Sequence, residues 1–246
     1  MPPERPSLIF VPGLVCDGAA FDEQTRAFAR EADCRTVDHG DLDTIPGMAA
    51  ALLREAPPRF ALIGHSMGGR VALEVYRAAP ERVAALALLD TGYQPRSAGE
   101  AGEREAQERH RLLDVARRQG MRAMGAEWVR GMVHPERLAD AALIDAILDM
   151  IARKTPDIFA AQIRALLARP DAAPLLPTIR CPVMLMCGRQ DSWSPLARHE
   201  QMAQLMVGAT LEVIEDSGHM STMERPQEVT ASLRRWLVQA GTIEDA

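Results

Sequence analysis

Short, unbroken apolar runs punctuate the chain, and each stops at a glycine, a proline or an aspartate. Residues 7–11 (SLIFV) stop at Pro12-Gly13, residues 60–63 at Gly64, residues 83–89 at Asp90 and residues 182–187 at Gly188. Runs of this length without polar alternation predict strands buried on both faces. Residues 34–37 and 210–214 read as two more strands. Between the early runs lie stretches with apolar residues at three- and four-residue spacing, which predict helices over 19–30, 46–55 and 70–79. Strands alternating with helices imply parallel strands joined by crossover helices.

After Tyr93 the rhythm changes. From about Gly99 to Arg169 the pattern is helical only, with predicted helices over 103–119, 121–132 and 136–153. His134-Pro135 separates the second from the third. A fourth helix opens at Thr155-Pro156-Asp157, a capping residue followed by proline in the first turn, and ends near Pro170. Strand runs then return, and a helix over 226–239 closes the pattern. The fold class is therefore α/β: a mostly parallel sheet of about six strands, helices on both faces, and a four-helix insertion. The division reads 1–93 as the first part of a core, 94–170 as the insertion and 171–246 as the second part. No internal repeat is visible.

Composition narrows the function classes. Hydrophobic residues make up 47% and charged residues 25% of the 246, a globular rather than disordered balance. The net charge of −6 leaves no basic footprint for nucleic acid or an anionic membrane. The N-terminal stretch has no charged-then-apolar targeting pattern, and no apolar run is long enough to span a bilayer. The four cysteines form no CxxC pair and, with the histidines, no metal-ligand spacing. The expectation is a cytoplasmic protein with free thiols, no metal and no cofactor.

The candidate chemistry begins at Gly64-His65-Ser66-Met67-Gly68, a G-x-S-x-G pattern between a predicted strand and a predicted helix. Such a pattern turns a strand sharply into a helix with an exposed serine at the bend, and glycine fits where side chains would collide. The lysine of a phosphate loop is missing. Downstream, Asp191 follows one strand run and His219 follows the next after a short loop. Both emerge at the strand ends where Ser66 stands, in the order Ser, Asp, His.

With "VPGLVCDGAAFDEQ" near the N-terminus, "GHSMGG" at the elbow, "GRQDSWSP" around the acid and "SGHMSTMERP" around the histidine, nearly the whole chain resembles the α/β-hydrolase superfamily. The resemblance implies that Ser66 is the nucleophile, His219 the base and Asp191 its orienting acid. It implies an oxyanion hole from the backbone N–H groups of Leu14 and Met67. The helical insertion resembles the cap of small cofactor-free esterases, enol-lactonases, C–C hydrolases and perhydrolases. Two departures stand out: Pro12-Gly13 replaces the commoner His-Gly of the oxyanion loop, and the usual opening antiparallel hairpin has no counterpart.

Other residues compete for these roles. Asp90 also ends a strand and is the alternative acid. Asp216 lies so close to His219 in sequence that it is expected to shape the loop. His65 is expected to pack against the sheet, His110 and His199 to be solvated, and His39 to be structural or on the rim. His134, Trp128 and Met132, all in the insertion, are possible substrate contacts. Cys16 reads as a small apolar filler, Met67 as a possible substrate contact, and Met220 and Met223 as packing. The expected activity is carboxylesterase-like: cleavage of a small ester, lactone or thioester through an acyl-enzyme. The partner is a small-molecule acyl substrate, with no nucleic acid, no membrane and no implied oligomeric state. C–C hydrolysis or peroxyacid formation on the same three residues is the same-fold alternative, and a slow-turnover ligand receptor the alternative from another class.

Overall fold

The computed structural model describes residues 5–244. Six strands form one sheet: β1 (Ser7–Val11), β2 (Asp33–Thr36), β3 (Phe60–His65), β4 (Val83–Leu89), β5 (Val183–Gly188) and β6 (Thr210–Ile214), in the order β2-β1-β3-β4-β5-β6. Every pairing is parallel. Burial explains the order. Every residue of β3 and β5 is buried, whereas the edge strands β2 and β6 are partly exposed. The unbroken apolar runs thus occupy the middle, where helices cover both faces.

Helices α1 (Asp22–Phe28), α2 (Ile45–Glu55), α3 (Met67–Ala78), α8 (Leu196–Leu205), α9 (Ser221–Glu224) and α10 (Pro226–Gln239) flank the sheet. Between β4 and β5 come α4 (Glu100–Gln119), α5 (Met121–Trp128), α6 (Ala141–Ala152) and α7 (Pro156–Leu167). The Thr155 hydroxyl caps α7 by accepting from the Ile158 N–H, with Pro156 in the first turn, as the sequence pattern predicts.

Three of the boundaries that differ from the sequence expectation do so for local reasons. The helix expected over 19–30 is a 3-10 turn, Gly18–Phe21, followed by α1; Asp17 caps the turn by accepting from the Ala19 N–H. The helix expected over 136–153 is likewise two pieces. A 3-10 turn, Pro135–Ala139, stops at Asp140, whose carboxylate accepts from the Leu143 N–H and starts α6. The third helix begins at Met67, immediately after Ser66, rather than at Arg70. Among the described residues no helix is long and apolar enough to cross a membrane.

Candidate active site

Ser66 alone connects β3 to α3, so the chain reverses within one residue. Its φ of 55° and ψ of −118° are unusual for a residue with a side chain, a conformation costing about 1–3 kcal/mol. Two bonds hold it: the Ser66 N–H donates to the Leu89 carbonyl (2.9 Å), and Thr91 Oγ1 donates to the Ser66 carbonyl (2.6 Å). The flanking glycines are close-approach positions. A Cβ on Gly64 would lie 2.5 Å from the Gly68 carbonyl oxygen, and one on Gly68 would lie 1.9 Å from the Val11 carbonyl oxygen.

Loops after β5 and β6 bring the partners to this turn. Ser66 Oγ is 2.8 Å from His219 Nε2, and His219 Nδ1 donates to Asp191 Oδ2 at 2.8 Å. Asp191 Oδ1 accepts from the Trp193 and Ser194 N–H groups at 2.8 and 2.9 Å, which fixes the carboxylate. Burial alone would raise the Asp191 pKa. The charge and hydrogen bond of His219, with those two backbone donors, outweigh it and hold the carboxyl below its usual range. Burial would likewise lower the His219 pKa, but the Asp191 carboxylate outweighs it and holds the imidazole above 6.5.

A base must be neutral to accept the serine proton. Protonation of His219 therefore sets the acid side of any activity that uses it. The kcat/KM of the free protein is expected to fall as pH drops through a value above 6.5. An acid limb centred below the ordinary imidazole value in a pH–rate profile would contradict this.

Asp90 is placed differently from Asp191. It is fully buried at a φ of 48° and accepts from the Gly188 N–H (2.9 Å) and from the Ser221 hydroxyl. Burial and the Asp191 charge push its carboxyl well above the usual carboxylate range. Its nearest imidazole is that of His65, with Nε2 3.7 Å away. His65 is buried and packs at the sheet end as expected. Burial and the His219 charge push its pKa down to about 4, so it is neutral and donates from Nε2 to the His219 carbonyl (2.7 Å).

The structure corrects His199, which was expected to be solvated. It is fully buried, because α8 packs on β5 and β6, and Nε2 accepts from the N–H of Thr91, just past β4, at 3.1 Å. His110 is exposed. His39 is buried away from the site, and Asp216 is exposed with a φ of 50°, pairing with Arg225. His134 stays off the cavity wall; its ring accepts from the Glu136 N–H.

Ser66 and His219 open onto a cavity of about 350 Å³. Leu14, Met67, Trp128 and Met132 line it, as does Met220, which the sequence pattern assigned to packing alone. Met67 is the first residue of α3, where N–H groups have no partner within the helix. The Leu14 loop is closed by the Cys16 N–H on the Gly13 carbonyl (3.2 Å) and pinned by the Val15 N–H on Gln162 Oε1 (2.8 Å). Cys16 also reaches the cavity, but burial and the Asp17 charge push its thiol up to about 12, so it is inert.

Several supporting residues were not singled out in the sequence. Gln162 of α7 holds the Leu14 loop, and Glu224 collects the Gly218, Met220 and His134 N–H groups. Trp193 packs on His219, with ring centroids 5.0 Å apart, and stacks on Trp128 at 5.1 Å. Among the described residues no group of three His, Cys, Asp or Glu side chains is placed to hold a metal ion.

The sequence pattern of the alpha/beta hydrolase family matches residues 8–232, most of the chain. The chain belongs to that family. It is 26% identical over 259 residues to a pimeloyl-[acyl-carrier protein] methyl ester esterase of Aliivibrio fischeri, covering 96% of this chain and 95% of that protein. It is 29% identical over 199 residues to a 2-succinyl-6-hydroxy-2,4-cyclohexadiene-1-carboxylate synthase of Serratia proteamaculans, covering 79% of this chain and 74% of that one. Its structure resembles a thermophilic esterase from Thermogutta terrifontis with a TM-score of 0.84 and 26% identity, over 96% of this chain and 90% of the other. The family fold accounts for the sheet order and for the placement of Ser66 at the strand ends.

Proposed function

We propose that the protein is a serine hydrolase of carboxylic esters, lactones or thioesters that works through an acyl-enzyme. The observation that carries this reading is the unbroken hydrogen-bond chain from Ser66 Oγ through His219 to Asp191 beside an open cavity. His219 takes the Ser66 proton as Oγ attacks the carbonyl. Asp191 holds the tautomer with the proton on Nδ1 and stabilises the imidazolium. The Leu14 and Met67 N–H groups receive the oxyanion, and each such donor contributes roughly 10²–10³ in rate. His219 then protonates the leaving group, and a water activated by the same imidazole releases the acid. The ester chemistry named for the A. fischeri and T. terrifontis relatives supports the reaction type.

Residues 94–170 act, in this reading, as a cap over the nucleophile. Leu112, Trp128, Met132, Phe159 and Leu166 come from this segment and give the cavity its apolar wall. An apolar roof strengthens the electrostatic terms below it by excluding water.

The test is covalent labelling. A fluorophosphonate probe is expected to attach to Ser66, located by peptide mass spectrometry, and labelling is expected to vanish in Ser66→Ala. A probe that still labels Ser66→Ala would remove Ser66 from the mechanism.

A further inference from the structure

The chain is acidic overall, with a net charge of −6, yet the cavity beside Ser66 is basic. Four arginines line it: Arg70, Arg109, Arg169 and Arg198. The acidic residues on the same wall are Glu105 and Glu108. Glu108 is engaged by Arg111, at 2.7 and 2.9 Å. Glu105 is shared by Arg109 and Arg169, both at hydrogen-bond distance. One carboxylate thus serves two guanidinium groups, and two more remain.

Those two, Arg70 and Arg198, have no carboxylate within ion-pair distance among the described residues. Arg70 Nη1 donates to the Gln94 carbonyl at 2.8 Å. Arg198 Nη1 donates to the Trp193 carbonyl (2.9 Å) and approaches Ser194 Oγ (3.4 Å). Neutral acceptors satisfy some of the N–H groups but cancel none of the charge. Both guanidinium groups converge on Gly92: a Cβ placed there would lie 2.9 Å from Arg70 Nη2 and 3.4 Å from Arg198 Nη1. Burial, with Arg169 and Arg198 nearby, pushes the Arg70 pKa down to about 9, which marks how poorly its charge is compensated. Holding like charges together costs stability unless something else uses them.

We infer that the Arg70–Arg198 pair is an anion-binding subsite of the cavity, and that the substrate carries a carboxylate or phosphate at a fixed distance from the bond that Ser66 attacks. The inference rests on the hydrolase reading above and adds the substrate class. Arg70 lies one helical turn beyond Ser66 on α3, about 6 Å along the axis at 1.5 Å per residue. Both residues line the same cavity, so one small substrate can meet Arg70 and Ser66 together. Planar guanidinium groups suit this task, since each can present two parallel N–H groups to one oxyanion.

The experiment compares esters of matched carbon skeleton. Monomethyl glutarate is set against methyl valerate, with the charge on the acyl side. Butyryl glycolate is set against ethyl butyrate, with the charge on the leaving-group side. In at least one pair, the kcat/KM ratio of charged to neutral ester is expected to exceed one at low salt. That ratio should drop by roughly tenfold to a hundredfold in Arg70→Gln or Arg198→Gln, the range for one charge-assisted hydrogen bond. The pair that responds tells which side of the scissile bond carries the anion. Binding of glutarate to Ser66→Ala, followed by calorimetry, reads the subsite without turnover and should weaken in Ser66→Ala/Arg70→Gln. Neutral esters preferred in both pairs, with ratios unmoved by either substitution, would overturn the anion subsite and leave the hydrolase reading intact. Glutarate bound through Arg70 with no ester hydrolysed would do the opposite. Circular dichroism of each variant reports whether it has folded.

Discussion

Asp191→Asn is expected to lower kcat by about 10⁴ in a protein that still melts as the parent does, the size of loss seen when the acid of a Ser-His-Asp triad becomes an amide. The Asp191 Oδ2–His219 Nδ1 bond at 2.8 Å is the reason. An asparagine can present its NH₂ to Nδ1, which then accepts and moves the imidazole proton to Nε2, facing the serine it should deprotonate. The acid limb of the pH profile should also move down, because the Asp191 carboxylate is what holds the His219 pKa above 6.5. Asp90→Asn should differ sharply. Burial and the Asp191 charge keep that carboxyl protonated to higher pH, and a neutral acid and an amide offer its neighbours similar acceptors. Its loss in kcat should stay below roughly tenfold, since the amide oxygen can still accept from the Gly188 N–H while the amide NH₂ donates to the Ser221 hydroxyl oxygen. Steady-state kinetics of the two variants, each checked by thermal melting, decide the matter; the reverse ranking would make Asp90 the acid.

Gly68→Ala is expected to cost at least about 3 kcal/mol of stability, the upper end of overpacking penalties. The added Cβ would lie 1.9 Å from the Val11 carbonyl oxygen and 2.7 Å from that of Pro12. These are backbone atoms of β1 and the loop after it, so they cannot rotate away as a side chain would. The melting temperature should fall by roughly 6–12 °C for a chain of this size. Gly18→Ala is the control: nothing lies within 4 Å of its Cβ position, and its change should remain within about 0.5 kcal/mol. An unchanged melting temperature in Gly68→Ala would mean that α3 can back away from β1 at little cost.

The three residues that meet at the site were legible in the sequence because each follows a strand: β3 and β5 are unbroken apolar runs, and β6 is a short run carrying Thr210 and Glu212. Parallel topology then delivers their loops to one edge without further information. The insertion was legible for a similar reason, since the strand rhythm stops and restarts around it. What the sequence could not convey was decided by distant partners. His199 sits on a helix with Arg198 and Glu200 beside it, a charged neighbourhood that suggests solvent, yet the turn of α8 directs it inward onto Thr91. Gln162 carries no motif, and nothing in the histidine stretch marks Glu224; each takes up a backbone N–H from a segment far away in the chain. Arg70 and Arg198 are more than a hundred residues apart and meet only through the fold. The break at Asp140 was local and missed because apolar spacing on both sides keeps helical phase across it.

The His219 N–H donates to the Met132 carbonyl at 2.7 Å, and Gly218 faces the Val133–His134 backbone so closely that a Cβ would lie 2.7 Å from the Val133 carbonyl carbon. The helical insertion, which lines part of the cavity, is therefore not an interchangeable module along its whole length. Chimeras that exchange this segment between relatives should cross over in the exposed stretch 94–99, beyond the Thr91 bond to Ser66, and in the loop before β5. The short seam around Met132, however, must travel with the histidine loop it grips. A grafted insertion whose seam came from a relative would bring a new pocket shape and, with it, a displaced imidazole.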